Sequence, residues 1–206
     1  MEHSLPKFFN YKEENTENGY ETIQDFYLSW TIRCSADENR VVNPVLHGYS
    51  RRILYCLIKG ANTENFTAYK SCFDADDVIP DSFRVVNVNT VRQESFIDLI
   101  VKVDVVEGDS VKKYVLNIEN KWYTLPNEGQ LQKGKEYIEK YYSDREPIHL
   151  LIFADHERID SRIRSMCLNH GYKHLSVWDL AKHSGMLEED SARSGNEMFD
   201  EYWFDS

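Results

Sequence analysis

Three residues in the middle of the chain, Asp98, Glu119 and Lys121, have the types and spacing for metal and acid–base chemistry. Two runs rich in Val and Ile, Phe96 to Val106 and Val111 to Lys121, flank Glu107-Gly108-Asp109-Ser110, whose Gly-Asp centre signals a hairpin turn. A two-residue and a four-residue loop give the same register, in which Asp104 faces Lys113 and Asp98 faces Glu119. Directly opposed residues hold their Cβ atoms about 5 Å apart. Two carboxylates at that separation repel, and a hard divalent cation with oxygen ligands is the natural occupant of the space between them. Side chains alternate across a strand, so Lys121 shares the face of Glu119, while Ile97, Leu99, Val101, Val103, Leu116 and Ile118 take the other. The expectation is one core face and one charged face. A merely solvated charged face is the alternative, because half-buried antiparallel strands ordinarily carry surface charge.

Holding these residues takes a frame of helices and strands. Residues 1–19 are polar and Asn/Glu-rich and read as a loose arm. Tyr20, Ile23, Phe26, Tyr27 and Trp30 then recur at helical steps. A second helix is capped by Asn43, opened by Pro44, striped by Leu46, Ile53, Leu54, Leu57 and Ile58, and stopped by Gly60. Residues 64–75 read as a third short helix, with Asp74, Asp76 and Asp77 as a solvated turn. Phe83 to Val91 reads as a strand ahead of the hairpin. After it come a helix from Asn127 to Tyr142 with Leu131, Tyr137, Ile138 and Tyr141 inward, a strand from His149 to Ala154, a helix from Glu157 to Asn169, and a strand from His174 to Trp178. This order of elements is an α/β sandwich.

At 206 residues the chain is the size of one domain, expected over residues 20–186, with residues 187–206 as an acidic, aromatic tail. The apolar runs Leu54 to Ile58 and Leu150 to Ala154 are far short of the roughly 20 residues a membrane span needs, and Met1 to Phe9 lacks a signal-peptide core. A soluble, cytoplasmic protein with no membrane partner is expected. Cys34, Cys56, Cys72 and Cys167 form no Cys-x-x-Cys pair and read as buried thiols, while Gly171 interrupts the metal-like spacing of His170 and His174. The net charge of −11 disfavours tight coating of nucleic acid. The tail, however, holds seven acids against Arg193, a net of −6, which leaves −5 for residues 1–186 and room for a local cationic site. Phe199, Tyr202, Trp203 and Phe204 in that tail suit a docked terminal helix, a protein-partner motif, or a phosphate mimic in a cleft.

Asp98 within Phe96-Ile97-Asp98-Leu99-Ile100, followed by Ile118-Glu119-Asn120-Lys121 and Glu128-Gly129-Gln130-Leu131, resembles the PD-(D/E)XK nuclease superfamily. His47-Gly48 after Asn43-Pro44 is similar to a divergent branch of bacterial and phage-associated members. The resemblance spans roughly residues 38–180, with its specific matches between 94 and 131. Ile97 stands where the family's Pro is often found, and Phe96 where a small or basic residue is common.

The resemblance implies a restriction-endonuclease-like fold, a mixed sheet with a central β-hairpin and helices on both sides. It implies a metal-dependent nuclease acting on nucleic acid, DNA foremost, with Asp98 and Glu119 holding Mg²⁺ or Mn²⁺ and Lys121 handling the attacking water and the charge that builds on the phosphate. Gln130 is implied to orient water, lysine or phosphate. Glu38 is implied to match an acidic residue of the family's first core helix, and Glu94, four residues before Asp98, to share its face as a further ligand if the strand extends that far. Arg51, Arg52, Arg84, Arg92, Lys133 and Lys135 are candidate phosphate contacts, and Trp122 and Tyr123 candidate stacking residues. Relatives often pair into homodimers. The contrasting expectation is a catalytically silent module of the same fold acting in DNA binding or protein interaction.

Overall fold

The computed structural model describes residues 19–60, 82–122, 124–154 and 159–204. Residues 1–18 of the arm expected over 1–19, the helix expected over 64–75 with its acidic turn, Cys72 and Tyr123 lie outside them, and Gly19 opens the first helix. Two helices, α1 (Gly19–Cys34) and α2 (Pro44–Lys59), precede the sheet, with a 3₁₀ turn over Asp37–Val41 between them. Asn43 caps α2 through its side-chain oxygen, which accepts from the Leu46 amide, and Pro44 opens it.

Five strands follow in one sheet whose spatial order is the chain order: β1 (Arg84–Glu94), β2 (Ile97–Glu107), β3 (Ser110–Lys121), β4 (Glu146–Phe153) and β5 (Lys173–Ser176). The first three run antiparallel, and β4 and β5 run parallel to β3. Parallel neighbours need a crossover. It is supplied by α3 (Glu128–Tyr141) between β3 and β4, and by α4 (Ser161–His170) between β4 and β5. The chain ends in α5 (Val177–His183) and α6 (Glu197–Phe204). This is a mixed α/β fold with helices flanking a mixed sheet. No helix among the described residues is long and apolar enough to cross a membrane.

The β2–β3 register is the expected one: Glu107 faces Ser110, Asp104 faces Lys113 and Leu99 faces Ile118. The expected division into a core face and a charged face does not hold, because helices cover both sides. Leu99, Val101, Val103, Leu116 and Ile118 meet α1 and α2 in the main core. Ile97 belongs to the opposite side, where it packs with Ile100, Val115 and Ile138 under α3. Strand alternation fails at Ile97 because the chain turns sharply just before it. Helix α1 is buried nearly all round, so Ile23 of the expected stripe is exposed while Gln24 and Asp25 are buried. On α3, Tyr141 points outward and Gly134 takes the inward place beside Leu131 and Ile138. The last strand stops at Ser176, whose hydroxyl and the Asp179 carboxylate form a reciprocal cap that begins α5, so Trp178 is helical.

The acidic tail is part of the main core. Phe199, Tyr202 and Trp203 of α6 are buried, the Tyr202 ring stacks on Tyr27 at 4.2 Å, and the Trp203 indole donates to Thr31 Oγ1 at 2.9 Å. The Asp200 carboxylate accepts from the Ser194 amide and hydroxyl and from the Gly195 amide. These rings therefore pack into the fold. Trp203→Ala is expected to lower unfolding stability by about 3–5 kcal/mol, measured by urea denaturation; a detachable tail would give a change near zero.

Candidate active site

The β2–β3 ladder stops at Leu99–Ile118, and one step beyond it the Asp98 carboxylate accepts from the Asn120 amide at 2.9 Å. Past that point β3 continues with only β4 beside it, Glu119 opposite Leu151 and Lys121 opposite Phe153. The end of β3 is thus uncovered on its β2 side, and the charged residues collect there. The Lys121 ammonium donates to Glu119 at 2.5 Å and lies 3.9 Å from Asp98. The Glu119 and Lys121 side chains are 3% and 8% exposed, against 26% for Asp98, so Asp98 is the carboxylate that water and ligands reach.

Helix α1 brings further groups that the sequence pattern did not single out. The Glu21 carboxylate accepts from the Trp122 amide at 3.1 Å and from the Thr124 hydroxyl at 2.7 Å. Asp25, buried, accepts from the Asn120 side-chain amide, and Arg92 of β1 lies 3.7 Å from it with its guanidinium over the Phe26 ring. Gln24 donates to the Asn120 side-chain oxygen at 2.9 Å. Asn120 alternates away from Glu119 and Lys121, so α1 grips one side of β3 while the carboxylate–lysine pair occupies the other. The signal that marks these residues is a Gln-Asp pair beside Phe26 in a helix whose surroundings demand burial; a buried carboxylate needs a partner.

Electrostatics follow from the crowding. Burial raises Asp25 to about 8, with the nearby Asp98 charge adding to the shift. Burial also raises Glu119 to about 8, again helped by Asp98 and opposed by Lys121. Asp98 is shifted upward by burial, against the pull of Lys121. Burial lowers Lys121, but Glu119 and Asp98 outweigh it and the net shift is upward, so the ammonium stays charged. Glu21 moves the other way: burial raises it, and the Thr124 and Trp122 hydrogen bonds more than compensate. The site is a buried excess of carboxylates around two cations.

Other expected residues are elsewhere. Glu94 closes β1 opposite Ile97, so it belongs to the strand before the turn and not to the strand of Asp98. It accepts from the Tyr137 and Tyr142 hydroxyls at 2.5 and 3.2 Å under α3. Glu38 is exposed on the 3₁₀ turn, where Asp37 pairs with Arg84 at 2.7 Å. Arg84 faces Val106 at the far end of β2 from Asp98, roughly 26 Å away along the strand. It is the first half of α1, not the segment after it, that passes the end of β3. The Gln130 amide donates to the Phe96 carbonyl at 3.1 Å, which ties α3 to the turn preceding Asp98. Arg52 donates to the Ser184 carbonyl at 3.0 Å.

No group of three or more His, Cys, Asp or Glu among the described residues is arranged to hold a metal. The fit to a cation rests instead on chemistry: hard carboxylate oxygens, buried and crowded together, which burial and their mutual repulsion push upward in pKa. Carboxyls raised in the fold bind more protons than they do unfolded, where they titrate near about pH 4. Their contribution to stability is therefore complete below that value and is lost as pH rises toward about 8. In EDTA, the unfolding free energy from urea denaturation should fall from about pH 5 to about pH 8, and Asp25→Asn should flatten the slope by up to about 1.4 kcal/mol per pH unit; an unchanged slope would mean that Asp25 is ionised throughout. Compared with known proteins, the chain matches no family model, no curated protein and no solved structure.

Proposed function

We propose that the chain is a divalent-metal-dependent nuclease of the PD-(D/E)XK type on a restriction-endonuclease-like fold, hydrolysing phosphodiester bonds of nucleic acid, DNA foremost. The observation that supports this reading is the meeting of Asp98, Glu119 and Lys121 at the end of β3 beyond its ladder with β2, beside the acids of α1. Asp98 and Glu119 would hold Mg²⁺ or Mn²⁺, with Asp25 and Glu21 adding negative potential behind them. Oxygen donors and excess buried negative charge suit such an ion. When bound, it supplies positive charge to the phosphate oxygens and makes nearby water more acidic.

The chain's own groups do the rest. The Lys121 ammonium donates hydrogen bonds, so it would hold the attacking water and meet the phosphate oxygens as they gain charge. Glu119 accepts from the Lys121 ammonium and so holds it at the site. Gln130 acts at one remove, by fixing the carbonyl of Phe96 and with it the turn that leads into Asp98.

One observation favours the silent-module alternative: the Lys121 ammonium already bridges the two carboxylates, as an internal counter-ion would. Calorimetric titration with Mn²⁺ and Mg²⁺, run beside cleavage of circular, linear and single-stranded DNA and of RNA, decides between them. A nuclease binds metal in a manner abolished by Asp98→Ala, and Lys121→Ala lowers its cleavage rate by about 10²–10³. A protein that binds no millimolar metal and cuts no substrate overturns the reading.

A further inference from the structure

The β1–β2 turn is built from the wrong residues for its shape. A two-residue turn closing the hairpin between Glu94 and Ile97 puts its central residues at positive φ, positions that Asn and Gly fill at little cost. Here they are Ser95 at 51° and Phe96 at 74°, with Gln93 just before them at 49°. An aromatic residue at positive φ is strained. Burial does not compensate, since Phe96 is 65% exposed. What the conformation achieves is position: Gln130 holds the Phe96 carbonyl, the Lys133 ammonium lies 5.0 Å from the ring centroid, and Asp98 follows two residues later. Strain of this kind persists where the surroundings over-determine it, and it collects at binding sites.

The turn continues into a stripe along α3. Gln130, Lys133, Tyr137 and Tyr141 recur at three- and four-residue steps and share one side of the helix, over about 16 Å. Ammonium groups lie against rings at both of its ends. Lys140 lies 4.9 Å over Tyr141, Lys102 of β2 lies 5.9 Å over Tyr142, and the Tyr137 and Tyr141 rings are 4.6 Å apart. Glu94 beneath the rings is held by the Tyr137 and Tyr142 hydroxyls. Lys102, Lys133 and Lys140 thus bring ammonium groups to these rings, with Glu136 and Glu139 exposed between Lys133 and Lys140 on α3. Aromatic rings with cations beside them form a surface on which bases stack while phosphates meet cations. Bases within a duplex are stacked on each other and offer no face to a ring.

Resting on the nuclease reading for its place beside the reacting phosphate, we infer that Phe96 and the α3 stripe seat an unpaired strand of nucleic acid. Phe96 stacks on a base next to the phosphate at Asp98 and Glu119, and Lys133 and Lys140 take backbone phosphates along α3. The test uses the full chain in EDTA, so that nothing is cut, and fluorescence anisotropy with labelled DNA and RNA single strands of about 15 nucleotides and a DNA duplex of the same sequence.

At least one single strand is expected to bind more tightly than the duplex, and the DNA and RNA arms say which. Phe96→Gly should weaken that binding about tenfold while melting no lower than the parent, because Gly is at ease at positive φ; Phe96→Trp should restore it. Lys133→Ala should reduce the slope of log affinity against log salt by about 0.7. A folded Phe96→Gly protein with unchanged affinity, or tighter binding of the duplex, overturns the inference. Metal-dependent cleavage lost in Asp98→Ala alongside unchanged binding in Phe96→Gly removes the seat and leaves the nuclease; Phe96-dependent strand binding without cleavage in any metal does the reverse.

Discussion

The contact on which the rest of this structure depends is the buried ammonium of Lys121 against the Glu119 carboxylate, 2.5 Å away at the end of β3. Taking an ion pair out of water costs several kcal/mol per ion unless partners replace the solvent. Three other elements supply charged groups here. Asp98 comes from β2, Asp25 and Glu21 from α1, and Arg92 from β1. The arrangement still leaves more carboxylate than cation, which is why burial pushes Asp25 and Glu119 up to about 8 rather than letting them ionise freely. A fold built for stability alone would place apolar side chains there.

The sheet makes that concentration possible. Three antiparallel strands give way to two parallel ones at β3, so β3 is central, buried on both faces, and longer than its ladder with β2. Its last residues project past Leu99 into a space that α1 and α3 close from opposite sides. Below it lies a second polar arrangement: the Asn117 amide donates to the Tyr172 hydroxyl at 2.7 Å and contacts His149 Nδ1 at 3.0 Å, and Tyr172 donates to the Leu131 carbonyl at 3.1 Å. Gly134 of α3 leaves the room for it, since a Cβ there would stand 3.2 Å from the Tyr172 hydroxyl. Helix α3 is thereby held tightly on β3, and Gln130 at its first turn is carried to the β1–β2 turn.

Much of this was legible beforehand, and for identifiable reasons. Turn chemistry at Gly108-Asp109 set the β2–β3 register, because in a hairpin the loop dictates which residues face each other. Capping by Asn43 and Pro44 located α2, since caps act over three or four residues. The β1–β2 turn at Ser95 and Phe96 was illegible because neither residue favours positive φ, and with it went the placement of Glu94 and the face of Ile97. Glu38 was assigned by its order in the chain, which says nothing of which helix end passes the site.

From sequence alone came what depends on neighbours along the chain: the types of most elements, one hairpin register, and the sharing of a face by Glu119 and Lys121. Tertiary structure alone decided what depends on distant segments meeting. It buried the carboxylates, it brought Glu21 and Asp25 of α1 to a strand about a hundred residues later, and it drew the acidic tail into the core through Phe199, Tyr202 and Trp203. The physical reason is range. Turns and caps are local and periodic, whereas the environment of a charge is set by whichever helix the packing of the core lays across it.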